Sequence, residues 1–328
     1  MKTTNRNRLT LSQVITGYLL EASARRLSPH TIADYTNAFR KLQIFLQTDA
    51  VFSDITAEDI RKFLVDLAVP RAPGGCAARP ARPLSEKQIL NIHTGLSALW
   101  TWATAEGYVT RHIMREIERP RPKRPVIVPL SQADVKAILD QADKSRSFNR
   151  PGQRITDYQR PSGLRDRAII LLLLDTGIRA SELCGLQLRH VDLKNRGITV
   201  LGKGNKERRL PFGPTCGKLL FRYIAQERKD AAVNEPLFVV TGDRPLDRDW
   251  LLKLLKRLGE RAGVHDCHPH RFRHTFAIEY LRNGGNTRAL QEALGHETLD
   301  MIRCYTRIAE ADLINAHQIA SPVEHWRL

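Results

Sequence analysis

Three things are scarce in this 328-residue chain: acidic side chains, paired cysteines and long apolar runs. Its 35 aspartates and glutamates face 52 lysines and arginines, which leaves a formal net charge of +17. A surface so short of negative charge attracts polyanions, and nucleic acid is the usual one. The longest apolar run, Ala168 to Leu174, falls far short of the roughly 20 residues needed to span a bilayer. The first ten residues are polar and lack the apolar core of a signal peptide. Five cysteines stand singly at Cys76, Cys184, Cys216, Cys267 and Cys304. An odd, scattered set argues against a disulfide framework and suits a reducing compartment. These absences describe a soluble cytoplasmic protein with no membrane contact, and its length favours two domains over one.

What is present is mostly helical patterning. Leu11, Val14, Ile15, Tyr18 and Leu19 recur at helical spacing. Ser28-Pro29 caps and opens a helix with Ile32, Tyr35, Phe39, Leu42 and Leu46 along one side. Thr56-Ala57-Glu58-Asp59 is a capping-box pattern before Ile60, Phe63, Leu64 and Leu67, and a fourth helix is expected over about 85–105. The segment 71–83, rich in Pro, Gly, Ala and Arg, reads as a loop, and 145–162 as a polar insertion. Arg119-Pro120-Arg121-Pro122-Lys123-Arg124-Pro125 is a basic linker whose alternating prolines prevent helix. The expected organisation is therefore a helical N-terminal domain over 1–118, a linker over 119–130 and a second domain over 131–328. That second domain starts with the capping box Ser131-Gln132-Ala133-Asp134 and includes an apolar helix over 164–174. The one clear β signal lies at 197–201 and 208–212 around the polar turn Gly202 to Glu207, a hairpin. The fold class expected is mainly α with a small β-hairpin or sheet, α+β overall.

Within the second domain, six side chains have types that suit chemistry at a phosphodiester. Arg179 and Arg273 offer planar forks for the nonbridging oxygens of a five-coordinate transition state. Glu182, one turn after Arg179, is placed to orient its guanidinium. Lys203, between two glycines at the hairpin turn, can protonate a departing sugar oxygen, with Lys206 as a competitor. His270, one turn before Arg273, is the candidate to accept a tyrosine proton, and His296 to hydrogen-bond a phosphate oxygen. Tyr305 is the candidate nucleophile. An aryl phosphate conserves the energy of the broken bond, so neither ATP nor any other cofactor is expected. Taken singly, each residue has an ordinary reading: an exposed arginine is commonly a surface ion pair, and a lone tyrosine a half-buried aromatic. The cluster Cys267, His268, His270 and His274 invites a zinc site, but its spacings lack paired ligand motifs and no metal is expected.

In order along the chain, Thr176-Gly177-Ile178-Arg179, Gly202-Lys203-Gly204, His270-Arg271-Phe272-Arg273-His274, Leu294-Gly295-His296 and Cys304-Tyr305-Thr306 resemble the motifs of the tyrosine recombinases, or phage integrase family. The likeness is strongest to Xer-type site-specific recombinases and simple integrases of mobile elements. It extends into the N-terminal helices, where 31–45 and 90–107 are similar to the family's core-binding domain. The resemblance implies a C-shaped clamp on double-stranded DNA and a tetramer acting on two specific sites through 3′-phosphotyrosyl links. It also implies a C-terminal segment, here 311–319, that docks on a neighbouring subunit or on its own domain, and allows for an accessory or partner recombinase. Two departures stand out: the loops 71–83 and 145–162 are longer than in compact Xer proteins, and no arm-site module is expected before Leu11. A type IB topoisomerase-like relaxing enzyme and a DNA-binding protein whose catalysis has lapsed are the alternatives.

Overall fold

The computed structural model describes residues 8–69, 83–122, 127–144, 160–202 and 207–295, together with Tyr305 and His317. The chain divides into two compact units, Met1–Pro125 and Val126–Leu328, and the division falls at the end of the proline-rich segment. Lys203, Lys206, His296, Cys304 and nearly all of the two long loops and of 311–319 lie outside the described residues.

Among the described residues the first unit carries four α-helices: α1 (Leu11–Ala24), α2 (Pro29–Leu46), α3 (Ala57–Leu67) and α4 (Glu86–Ala105). Their starts are fixed by short polar side chains. Thr10, Ser28, Thr56 and Ser85 each accept a hydrogen bond from the backbone N–H three residues on, satisfying donors that a helix cannot pair internally. Their faces are fixed by apolar spacing. Leu11, Val14, Ile15 and Tyr18 of α1 meet Phe39 and Leu42 of α2, Ile60 and Phe63 of α3, and Leu96, Leu99 and Trp100 of α4 in one core.

The second unit is built around α6 (Gly163–Thr176). Ala168, Ile169, Ile170, Leu172 and Leu173 are all fully buried, so this helix is apolar on nearly every side and must be surrounded. It packs against α5 (Gln132–Asp143), α8 (Pro214–Glu227) and α10 (Pro269–Arg282). The short α7 (Ala180–Cys184) follows it, then β1 (Val191–Asp192), β2 (Gly197–Leu201) and β3 (Glu207–Pro211), an antiparallel sheet in that order. The hairpin pairs Leu201 with Glu207 and Gly197 with Pro211. Beyond α8 lie β4 (Val239–Val240), β5 (Arg244–Pro245), α9 (Arg248–Ala262), α10 and α11 (Thr287–Leu294).

The fold is mostly helical with small antiparallel sheets, and the sequence understated the strands. β1 and the β4–β5 pair have two residues each, too few for alternation to register. They form because the chain reverses tightly beside them, through left-handed Gly242 and Asp243 in the case of β4–β5.

Candidate phosphodiester-binding site

The candidate site is organised by the C-terminal end of one short helix. Three successive carbonyl oxygens close α11, and each accepts from a different arginine. Arg208 Nε donates to Ala293 at 2.9 Å, Arg273 Nη2 to Leu294 at 2.6 Å, and Arg179 Nη2 to Gly295 at 2.8 Å. A helix end leaves its last carbonyls without partners and carries partial negative charge, so guanidinium groups suit it on both counts. The three arginines come from β3, α10 and the N-cap of α7, elements far apart in sequence.

Glu182 completes the arrangement. Its carboxylate accepts from Arg179 Nη1 at 2.9 Å and from the Arg179 backbone N–H at 3.0 Å. It also accepts from Arg208 Nη1 and Nη2 at 2.8 and 2.7 Å, a bidentate pair. Those four bonds use the whole accepting capacity of a carboxylate. Burial pushes the Glu182 carboxyl up, but the hydrogen bonds from Arg208 and Arg179 outweigh it and hold its pKa below the ordinary range. Three guanidiniums against this one carboxylate leave a positive surplus, which is the electrostatics an anion requires.

Arg273 is the deepest of the three, only 5% exposed. Besides Leu294 it donates to the Gly177 carbonyl at 2.6 Å. Burial, then repulsion from Arg179, lowers its pKa to about 10, which still leaves it charged at neutral pH. Two of its five N–H groups are thus fixed on carbonyls, and the rest are aimed without further ordering cost. Both Gly177 and Gly295 cap their helices in the left-handed region, at φ +60° and +58°. That conformation turns their carbonyls to Arg273 and Arg179 respectively. At Gly177 a Cβ would also run into the Phe276 ring. Gly177→Ala is expected to cost about 2–4 kcal/mol, the sum of left-handed strain and overpacking. A urea melt reads this, and an unchanged midpoint would contradict the close packing described.

Tyr305 is buried, at 1% exposure, among Ala277, Ile278, Leu290 and Leu294 of α10 and α11. Its hydroxyl lies 2.7 Å from Nδ1 of His274. The sequence had put His270 forward to take the phenolic proton, whereas the hydrogen bond found here goes one turn further along α10. His274 was missed as a site residue, although its i, i+4 spacing from His270 places both imidazoles on one helix face. Arg208 was missed too, because nothing in a hairpin strand signals which carboxylate its side chain will meet.

His270 feels the same cations. Partial burial, then His268, Arg273, Arg248 and Arg179, push its pKa below the ordinary 6.5. Burial, then His270, His268 and Arg273, lower that of His274 likewise. Both rings are therefore neutral at pH 7 and able to accept a proton. A neutral base with a depressed pKa keeps working as pH falls through 6.5 and fails only below it. The rate of strand cleavage is expected to hold from about pH 8 to 6.5 and decline beneath that. A half-loss above pH 6.5 in single-turnover rates would refute the assignment to either ring.

Cys267 and His268, just before α10, have structural duties. Burial pushes the Cys267 thiol up to about 11, leaving it protonated, and His268 Nδ1 accepts from the Arg271 N–H as an N-cap. Among the described residues no three His, Cys, Asp or Glu side chains converge as metal ligands, and no helix there is long and apolar enough to cross a membrane.

Comparison with known proteins gives consistent likenesses. The sequence pattern described as the phage integrase family matches residues 129–312, more than half of the chain. Tyrosine recombinase XerC of Oceanobacillus iheyensis is 29% identical over 307 residues, covering 91% of this chain and 92% of that protein. XerC of Mycobacterium sp. (strain JLS) is 30% identical over 305 residues, covering 92% and 95%. In fold, the chain is similar to the Tn1549 transposon integrase solved in complex with transposon right end DNA. The TM-score is 0.72 at 20% identity, over 94% of this chain and 100% of that one.

Proposed function

The chain belongs to the phage integrase family, and from that premise we propose how its own residues divide the work of cutting and rejoining DNA. It is a tyrosine recombinase, acting on DNA strands at specific sites. Tyr305 Oη attacks the scissile phosphorus, an Oη–P bond forms and the P–O5′ bond breaks. The phenolic proton passes to an imidazole of α10, His274 or His270. The departing O5′ takes its proton from Lys203 in the hairpin turn, with Lys206 as the other candidate. Arg179 and Arg273 hold the nonbridging oxygens as charge grows on them, and His296 adds a hydrogen bond. Rejoining is the reverse: a 5′-hydroxyl attacks the phosphotyrosine and the phenol departs. One ester replaces another throughout, so no external energy source enters the balance. The buried phenol must come to the phosphate as DNA is engaged.

The observation that carries this reading is the triple arginine arrangement on α11, with Tyr305 packed against Leu290 and Leu294 of the same helix. Incubation with a pool of random-sequence nicked duplexes, followed by denaturation, should leave DNA joined to the protein by its 3′ end. Peptide mapping should place the nucleotide on Tyr305. Attachment elsewhere, or no attachment from any duplex in the pool, would overturn the reading. Sequencing the trapped DNA identifies the site. The comparisons lend no support to the topoisomerase alternative, and relaxation of site-free plasmids without strand exchange is the result that would revive it.

Four copies on two sites, with an accessory or partner recombinase where the element requires one, is the working assembly we propose, in the cytoplasm on the nucleoid. The net charge of +17 implies many phosphate contacts. Affinity for a site duplex should fall about 10³–10⁵-fold between roughly 50 and 200 mM salt. A flat response in a titration would contradict extensive backbone contact.

A further inference from the structure

Resting on that proposed mechanism, we infer that Arg208 is a positioning residue that locks the β2–β3 hairpin to the phosphate-binding arginines. Arg208 sits on β3, one residue after Glu207, which pairs with Leu201 at the end of β2. Lys203 lies in the five-residue connection between those two paired ends. From this position Arg208 reaches in two directions. Its Nη atoms clasp Glu182, the same carboxylate that holds Arg179, at 2.8 and 2.7 Å. Its Nε binds the Ala293 carbonyl at 2.9 Å, next to the carbonyls that hold Arg273 and Arg179. The guanidinium also lies against Gly295, where a Cβ would meet its Cζ at 3.3 Å. One planar group therefore ties the hairpin, α7 and the end of α11 together, and each of these elements carries or immediately precedes a candidate site residue.

The geometry leaves Arg208 little capacity for DNA. Three of its five N–H donors are committed and its side chain is only 16% exposed. Its neighbour Arg209 differs in every respect: more than half exposed, it pairs with Asp192 at 3.1 Å on the outer side of the sheet. An arginine this engaged acts through the groups it holds. A hairpin released from α7 and α11 keeps its lysine but loses its fixed base beside Arg179 and Arg273, and general-acid catalysis depends on how the acid is positioned.

The test uses the full chain and a nicked duplex bearing the site recovered from trapped DNA, made in two forms. One has the normal 5′-bridging oxygen at the scissile phosphate. The other has sulfur there, whose thiolate departs without needing a proton. Arg208→Gln should slow single-turnover cleavage of the oxygen substrate about 10²–10³-fold, the range of a lost general acid, with DNA affinity within about threefold. On the sulfur substrate the deficit should shrink to about tenfold or less. Arg208→Lys, which keeps charge but not the bidentate clasp, should show a smaller deficit with the same rescue, and it serves if the glutamine variant folds poorly. Arg209→Gln should match the unmodified chain on both substrates. Equal deficits on oxygen and sulfur, a defect confined to affinity, or full activity in Arg208→Lys would overturn the inference. Failure of the unmodified chain to form any adduct would instead remove the reading of function beneath it.

Discussion

A Tyr305→Phe protein is expected to bind site DNA normally and to form no covalent adduct, a loss on the order of 10⁴-fold or more. The change removes one oxygen from a ring buried among Ala277, Ile278, Leu290 and Leu294, so its packing persists. Its bond to His274 is lost, worth about 1 kcal/mol of stability at most sites of this kind. A fold barely weakened and an affinity left intact would isolate the defect in bond formation. The assay is denaturing electrophoresis of protein with a nicked site duplex, beside a filter-binding titration at fixed salt. Undiminished adduct would mean that another side chain attacks, and the role given to the α10 imidazoles would go with it.

Arg273→Lys is expected to slow cleavage about 10²–10³-fold at saturating DNA while changing affinity little, as for loss of a preorganised oxyanion donor. The reason lies in geometry rather than charge. Arg273 spends two donors on the Gly177 and Leu294 carbonyls, both at 2.6 Å, which leaves the remainder of a rigid plane for the proposed phosphate. An ammonium group cannot span two carbonyls and a phosphate at once. Each carbonyl left without a partner also costs about 1–3 kcal/mol, so rates should be compared at equal folded fractions. The rate should fall because charge on the phosphate oxygens is greatest in the transition state. A lysine variant that cleaves at the original rate would show that Arg273 supports the fold and not the reaction.

The helices were legible where local rules govern them. Ser28, Thr56 and Ser131 announce helix starts by chemistry confined to four residues, and the caps lie where that chemistry requires. The apolar stripe of α1 and the all-round apolar character of α6 were equally readable. The two-residue strands were not, since their pairing is imposed by neighbours and turn geometry. At the site, Glu182 was expected to orient Arg179 because both lie within one helical turn. The second arginine on that carboxylate comes from 26 residues away, across a sheet and a turn. No spacing rule reports it.

Residue types and their order pointed to phosphodiester chemistry: cationic forks, a phenol and imidazoles suit it, and their order resembles the tyrosine recombinase motifs. Folding decided which atoms meet. The C-terminal carbonyls of α11 gather arginines from three distant elements, and the phenol hydrogen-bonds His274 one turn beyond the histidine first put forward. The physical reason is that helix and cap formation depend on neighbours within a few residues. The pairing of a guanidinium with a carbonyl far along the chain depends on how whole elements pack.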